Sequence, residues 1–128
     1  KKVVQALIEN GRNPGECRVL VMGITFKEDV ADIRNSKVVD LIRELEDYSV
    51  TIDVIDPHAS VEEVKNQYNI DLKREPEGKY DAIIVAVGHK KYTDLDRDSL
   101  TDLSVRNVLI FDIKGVVKAK FNMQYSRL

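Results

Sequence analysis

The run Val19-Leu20-Val21-Met22-Gly23-Ile24 carries no charge and no polar/apolar alternation. A run this short and this uniformly apolar suits a strand buried on both faces, the kind found in parallel sheets covered by helices. Three more runs follow along the chain. Val50-Thr51-Ile52-Asp53-Val54-Ile55 ends at Asp56-Pro57. Ala82-Ile83-Ile84-Val85-Ala86-Val87 is the most apolar run and suits the sheet centre, with Gly88-His89 closing it. Val108-Leu109-Ile110-Phe111 is the last, before Asp112-Ile113-Lys114-Gly115.

Helical patterns lie between these runs. Val3, Val4, Leu7 and Ile8 form one stripe over residues 1–10, stopped by Gly11, with a turn at Asn13-Pro14-Gly15. From Ser36 onward, Val38, Leu41, Ile42 and Leu45 repeat at helical spacing, with Asn35 or Ser36 as the cap. Ser60-Val61-Glu62-Glu63 is a capping box, and Val61, Val64 and Tyr68 line the helix it opens. Ile70 to Leu72 suggests a short strand, Pro76-Glu77-Gly78 a turn, and Leu95, Leu100 and Leu103 a further helix. Residues 116–128 read as a terminal extension, helical or irregular. Strands alternating with helices imply parallel pairing and right-handed crossovers. The expected fold is therefore an α/β, Rossmann-like three-layer sandwich with a mainly parallel sheet. Strand order is not readable from the sequence.

A length of 128 residues fits a single domain. A chain of this size buries roughly two thirds of its unfolded surface, so it needs no disulfide or metal to hold it. A net charge of −2 gives no sign of a nucleic-acid or anionic-membrane surface. One cysteine, Cys17, excludes an internal disulfide and a cysteine metal cluster, and fits a reducing, cytoplasmic setting. No apolar run reaches the ~18 residues of a membrane span. The chain opens inside a helix without Met, which suggests a piece of a longer protein.

In a parallel sheet the residues after each strand share one edge, where open α/β sheets bind ligands. That edge would carry Lys27, then Asp56 and His58, then Gly88 and His89, then Asp112 and Lys114. Two lysines and two histidines there would favour an anion. The competing reading is that loops are polar in any protein. A dinucleotide site needs G-x-G-x-x-G after the first strand, and only Gly23 is present, with Phe26 and Lys27 adding bulk. Asp56 resembles a ribose-binding acid, but before Pro57 it reads better as a turn former. A receiver domain fails too, because no acidic pair ends the first strand. Cys17 precedes a strand and has no histidine near it in sequence. The histidines show no metal spacing, and the aromatics are too dispersed to stack nucleic-acid bases. Arg34 either pairs with Asp29 or Asp32 or points its planar fork at a phosphate or carboxylate. The pattern leaves both open.

The stretch Gly23-Ile24-Thr25-Phe26-Lys27-Glu28-Asp29-Val30-Ala31-Asp32-Ile33-Arg34-Asn35-Ser36 resembles the C-terminal-domain signature of the UDP-glucose/GDP-mannose dehydrogenase family. Val54-Ile55-Asp56-Pro57, Tyr80-Asp81-Ala82 and Phe111-Asp112-Ile113-Lys114 match in order and spacing. Asp56-Pro57-His58-Ala59, Ala86-Val87-Gly88-His89 and the ending Tyr125-Ser126-Arg127-Leu128 resemble the subgroup that oxidises UDP-N-acetyl-hexosamines. The resemblance implies a UDP-sugar-binding domain spanning residues 1–128, with 1–15 as a leading helix and turn. The rest of such an enzyme would be an N-terminal NAD domain and a central dimerising domain that carries the catalytic cysteine. It implies that Phe26, Lys27 and Lys114 contact the UDP-sugar and that Arg34 contacts NAD. Lys114 stands where many relatives have arginine, and an ammonium does not reproduce a bidentate fork. The implied partners are a UDP-sugar and, through the missing central domain, a second subunit, with no nucleic acid and no membrane. The implied activity is NAD-dependent oxidation of the sugar C6 alcohol for surface polysaccharide synthesis. The alternative is a stand-alone, non-catalytic nucleotide-binding regulatory module.

Overall fold

The computed structural model describes residues 2–27, 29–93, 97–113 and 124–126. Helix α1 (Lys2–Glu9) buries Val3, Val4 and Leu7, while Ile8 faces out. Gly11 follows with φ +74°, a left-handed turn that ends the helix. The Asn13 side chain accepts from the Gly15 amide and opens a 3-10 turn, Pro14–Glu16. Strand β1 is Arg18–Met22, helix α2 Lys37–Asp47, strand β2 Thr51–Ile55 and helix α3 Val61–Tyr68. Ser60 Oγ accepts from the Glu63 amide at 3.3 Å, as the capping box requires. Strands β3 (Leu72–Lys73) and β4 (Tyr80–Val85), helices α4 (Lys90–Thr93) and α5 (Arg97–Asp102), and strands β5 (Ser104–Asp112) and β6 (Gln124–Ser126) complete the chain.

The sheet runs β3-β2-β1-β4-β5-β6, and every pair is parallel. Chain direction through the sheet reverses after β3, which places a topological switch point between β1 and β4. One face packs Val19, Val21, Val54, Ile84 and Phe111 against Val38, Val39, Ile42 and Leu45 of α2 and Val64 of α3. The other packs Leu20, Met22, Ile83, Val85 and Ile110 against Tyr92 of α4 and Leu100 of α5. Both faces of β1 are therefore buried, as its uniform apolar run requires.

Three expectations change, and one element is added. The first strand stops at Met22, because Gly23 takes φ +104° and turns the chain out of the ladder. The central strand starts earlier, at Tyr80, and Ala86 leaves it to donate to Met22 O at 3.0 Å. Helix α5 lies within the segment read as helical near Leu95 to Leu103, and α4, just before it, is the added element. Residues 124–126, expected as helical or irregular, form a sixth strand beside β5, with Ile110 opposite Tyr125. Three residues carry too little periodicity to reveal a strand, and the open edge of β5 supplies the pairing that defines it.

Ser36 sits at the N-cap of α2, yet its side chain makes no cap bond and its buried Oγ has no partner among the described residues. Removing an unpaired buried hydroxyl relieves a cost rather than losing a bond. Ser36→Ala should leave stability unchanged or raise it, against the usual loss of about 1 kcal/mol for an N-cap serine. A Cβ on Gly23 would stand 2.7 Å from Val87 Cβ. Gly23→Ala should therefore cost about 2–4 kcal/mol through overpacking and backbone strain. Denaturant midpoints of both variants check these outcomes. A clear loss in the first, or an unchanged midpoint in the second, contradicts them.

Candidate functional site at the carboxyl edge of the sheet

Three loops meet above the switch point. Thr25 follows β1, Asp56 follows β2 and His89 follows β4, and all three are buried, His89 at 0% exposure. Asp56 Oδ2 accepts from the Ile24 amide at 2.7 Å, the Thr25 amide at 3.2 Å and His89 Nε2 at 3.0 Å. Its Oδ1 accepts from the His58 amide at 2.8 Å and the Ala59 amide at 3.2 Å. Asp56 is thus the turn former that its place before Pro57 suggested, and it also anchors the β1 loop. Burial alone would push this carboxyl up. The Ile24 amide, His89 and the His58 amide outweigh burial and hold it below its ordinary range.

His89 is not the ligand-facing cation that the sequence reading placed on the rim. Its Nδ1 accepts from the Asp29 amide at 2.8 Å. Asp29 has φ +58° and in turn accepts the Lys90 amide on Oδ1 at 2.9 Å. His58 packs edge-on to His89, ring centroids 4.6 Å apart, with its Nε2 3.6 Å from Asp29 Oδ1. Asp29, His58 and His89 are close enough together to suggest a metal. However, an imidazole nitrogen has one lone pair, and that of His89 Nδ1 is already engaged. The trio works as a hydrogen-bond hub.

The other expected residues surround this hub. Phe26 is 57% exposed and Lys27 is exposed beside it, at the outer turn of the β1 loop. The Phe26 amide donates to Asp32 O at 2.6 Å and closes that loop. Arg34 takes the ion-pair option: Nε and Nη2 bind Asp32 Oδ1 and Oδ2 at 3.0 and 2.9 Å. That bond holds the half-buried Asp32 carboxyl down at about 2. Arg34 also borders an open groove of ≈ 450 Å³, shared with Glu63, Asn66 and Gln67 of α3. A second cavity of ≈ 290 Å³ lies beneath the edge, between Met22, Ile55, Arg74, Lys91 and Tyr92. Lys114 lies outside the described residues.

A model of the UDP-glucose/GDP-mannose dehydrogenase family, UDP binding domain, matches residues 20–119. The chain belongs to this family. A UDP-N-acetyl-D-glucosamine 6-dehydrogenase from Salmonella typhi is 35% identical over 94% of this chain and 28% of that relative. One from Pseudomonas aeruginosa is 37% identical over 88% of this chain and 27% of its own length. The crystal structure of an NDP-N-acetyl-D-galactosaminuronic acid dehydrogenase from Methanosarcina mazei superposes with TM-score 0.79 at 25% identity. That match covers 91% of this chain and 24% of the other. The chain spans about a quarter of the length of these relatives. Among the described residues, no helix is long and apolar enough to cross a membrane.

A carboxyl held low in the folded state adds stability that is complete above its ordinary value of 3.8 and fades as pH falls through the lowered one. Asp56→Asn should cost about 2–4 kcal/mol at neutral pH, because an amide nitrogen then faces backbone donors. The gap between wild type and variant should close on acidification below that value. Denaturation midpoints taken along a pH series measure it, and a gap that is constant or widens in acid contradicts the assignment.

Proposed function

We propose that this chain is the UDP-sugar-binding end of an NAD-dependent nucleotide-sugar 6-dehydrogenase that takes a UDP-N-acetyl-hexosamine. The observation that carries this is the β1 loop. In a chain of this family, the loop sets an exposed aromatic and an exposed cation side by side at the ligand edge of the sheet. Lys27 would place its ammonium against the diphosphate, and Phe26 would lay its ring along the uracil or the sugar. Lys114 would be a third contact by the family resemblance; it follows β5 in sequence, whose last residue, Asp112, lies on the same edge.

NAD supplies the hydride acceptor when bound. The sheet's own switch point does not fit a dinucleotide. Thr25, Asp56 and His89 fill it, and Val87 takes the space that a phosphate-binding loop keeps open beside Gly23. The cofactor would therefore be held by a separate N-terminal domain, and Arg34, exposed at the groove beside α3, would leave its pair with Asp32 to reach it. Cys17 does not serve as a nucleophile. It is buried, donates its thiol to Asn13 O, and burial pushes that thiol up, away from the reactive thiolate. The catalytic cysteine and the dimer interface belong to the central domain, and the assembly works in the cytoplasm on precursors of surface polysaccharide.

Mixing this chain with NAD and UDP-N-acetylglucosamine should yield no NADH, and robust turnover would overturn the division of labour. In the longer enzyme, Lys27→Ala should raise KM for the UDP-sugar by about tenfold through loss of one charge-assisted bond. Unchanged steady-state kinetics would remove Lys27 from the site.

A further inference from the structure

We propose that His89 is a positioning residue for the UDP-sugar site, holding the Phe26–Lys27 loop in its binding shape through Thr25, Asp29 and Asp56. The inference rests on the UDP reading for its ligand but on hydrogen-bond geometry for its mechanism. With 0% exposure, His89 does not touch a ligand lying above the loop. Both of its ring nitrogens are nonetheless committed to groups on other loops.

The direction of each bond follows from chemistry. The Asp29 amide can only donate, so His89 Nδ1 accepts and carries no proton. The ring proton is then on Nε2, which lies 3.0 Å from Asp56 Oδ2 and 3.1 Å from Thr25 Oγ1. Thr25 uses its own hydroxyl proton on Lys27 O, at 2.9 Å. A relay results: the single His89 Nε2–H is shared between Asp56 Oδ2 and Thr25 Oγ1, and the Thr25 hydroxyl passes its own proton to the Lys27 carbonyl. It fixes the Lys27 peptide, and the Asp29 amide fixes the far side of the same turn.

Apolar packing does not hold this turn, because Phe26 is more than half exposed. Asp29 sits at φ +58°, which is costly for a residue other than glycine and needs bonds to maintain it. The polar relay supplies them. An apolar ring would fill the same volume without any of these bonds, so the chemistry of His89 can be separated from its size.

The test compares wild type with His89→Phe, which keeps a ring and removes both nitrogens, and His89→Asn, which returns an acceptor near the Nδ1 position. Amide hydrogen exchange is read residue by residue, and UDP affinity is measured by calorimetry. In His89→Phe, exchange at Thr25 and Asp29 should speed up about tenfold or more while Val21 and Ile84 in the sheet stay protected. UDP should bind about tenfold more weakly, as misplacement of a binding group predicts. His89→Asn should restore protection at Asp29. Should His89→Phe fail to fold, Thr25→Val, which cuts the relay alone, must show the same loosening around Lys27.

Unchanged exchange in the loop overturns the proposal. So does a uniform rise across the sheet, which would make His89 a core filler. Equal UDP affinity with a loosened loop also overturns it while leaving the UDP reading intact. A wild type that ignores UDP would instead sink the UDP reading, and the exchange data would still decide whether His89 holds the loop.

Discussion

A single buried carboxylate organises the functional edge of this domain. Asp56 gathers five donors from three loops, two of them amides from the segment that leaves β1. An anion removed from water is costly unless its lone pairs are satisfied. Here the satisfaction comes from backbone amides whose positions it then dictates. The loop after β1 and the turn after β2 are consequently one unit, and His89 joins the loop after β4 to them.

The unit explains how a dinucleotide-type sheet serves another purpose. The strand order puts a crevice between β1 and β4, where glycine-rich relatives of this topology admit a pyrophosphate. In this chain the crevice is occupied by protein. Gly23 is retained, but its missing side chain makes room for Val87 rather than for a phosphate. In the proposed reading, ligand contact moves outward, to the exposed tip that carries Phe26 and Lys27.

Much of the fold was legible because burial on both faces writes long apolar runs. The cores of β1, β2, β4 and β5 and the helices α1, α2 and α3 follow directly from hydrophobic period and capping. Strand ends were less legible: Gly23 ends β1 with a backbone angle, and no apolar pattern encodes that. Strand β6 was hidden because only its neighbour makes it a strand. Within the site, Phe26, Lys27 and Arg34 were named from a motif, and the structure places them along one loop. His89 was assigned to the rim because a histidine after a strand looks the same in sequence whether it faces ligand or protein. Arg34 is undecided in sequence for a similar reason, since Asp29 and Asp32 are both within reach of its long side chain and only loop geometry selects Asp32.

The sequence alone determined the class of fold, the edge on which chemistry would gather and the family signature, because these depend on local pattern and spacing. Tertiary structure alone decided the strand order, the burial of His89 and the direction of its hydrogen bonds. Those depend on contacts between residues 31 to 64 positions apart, such as Thr25 with Asp56 and with His89. No local period records which loops will meet.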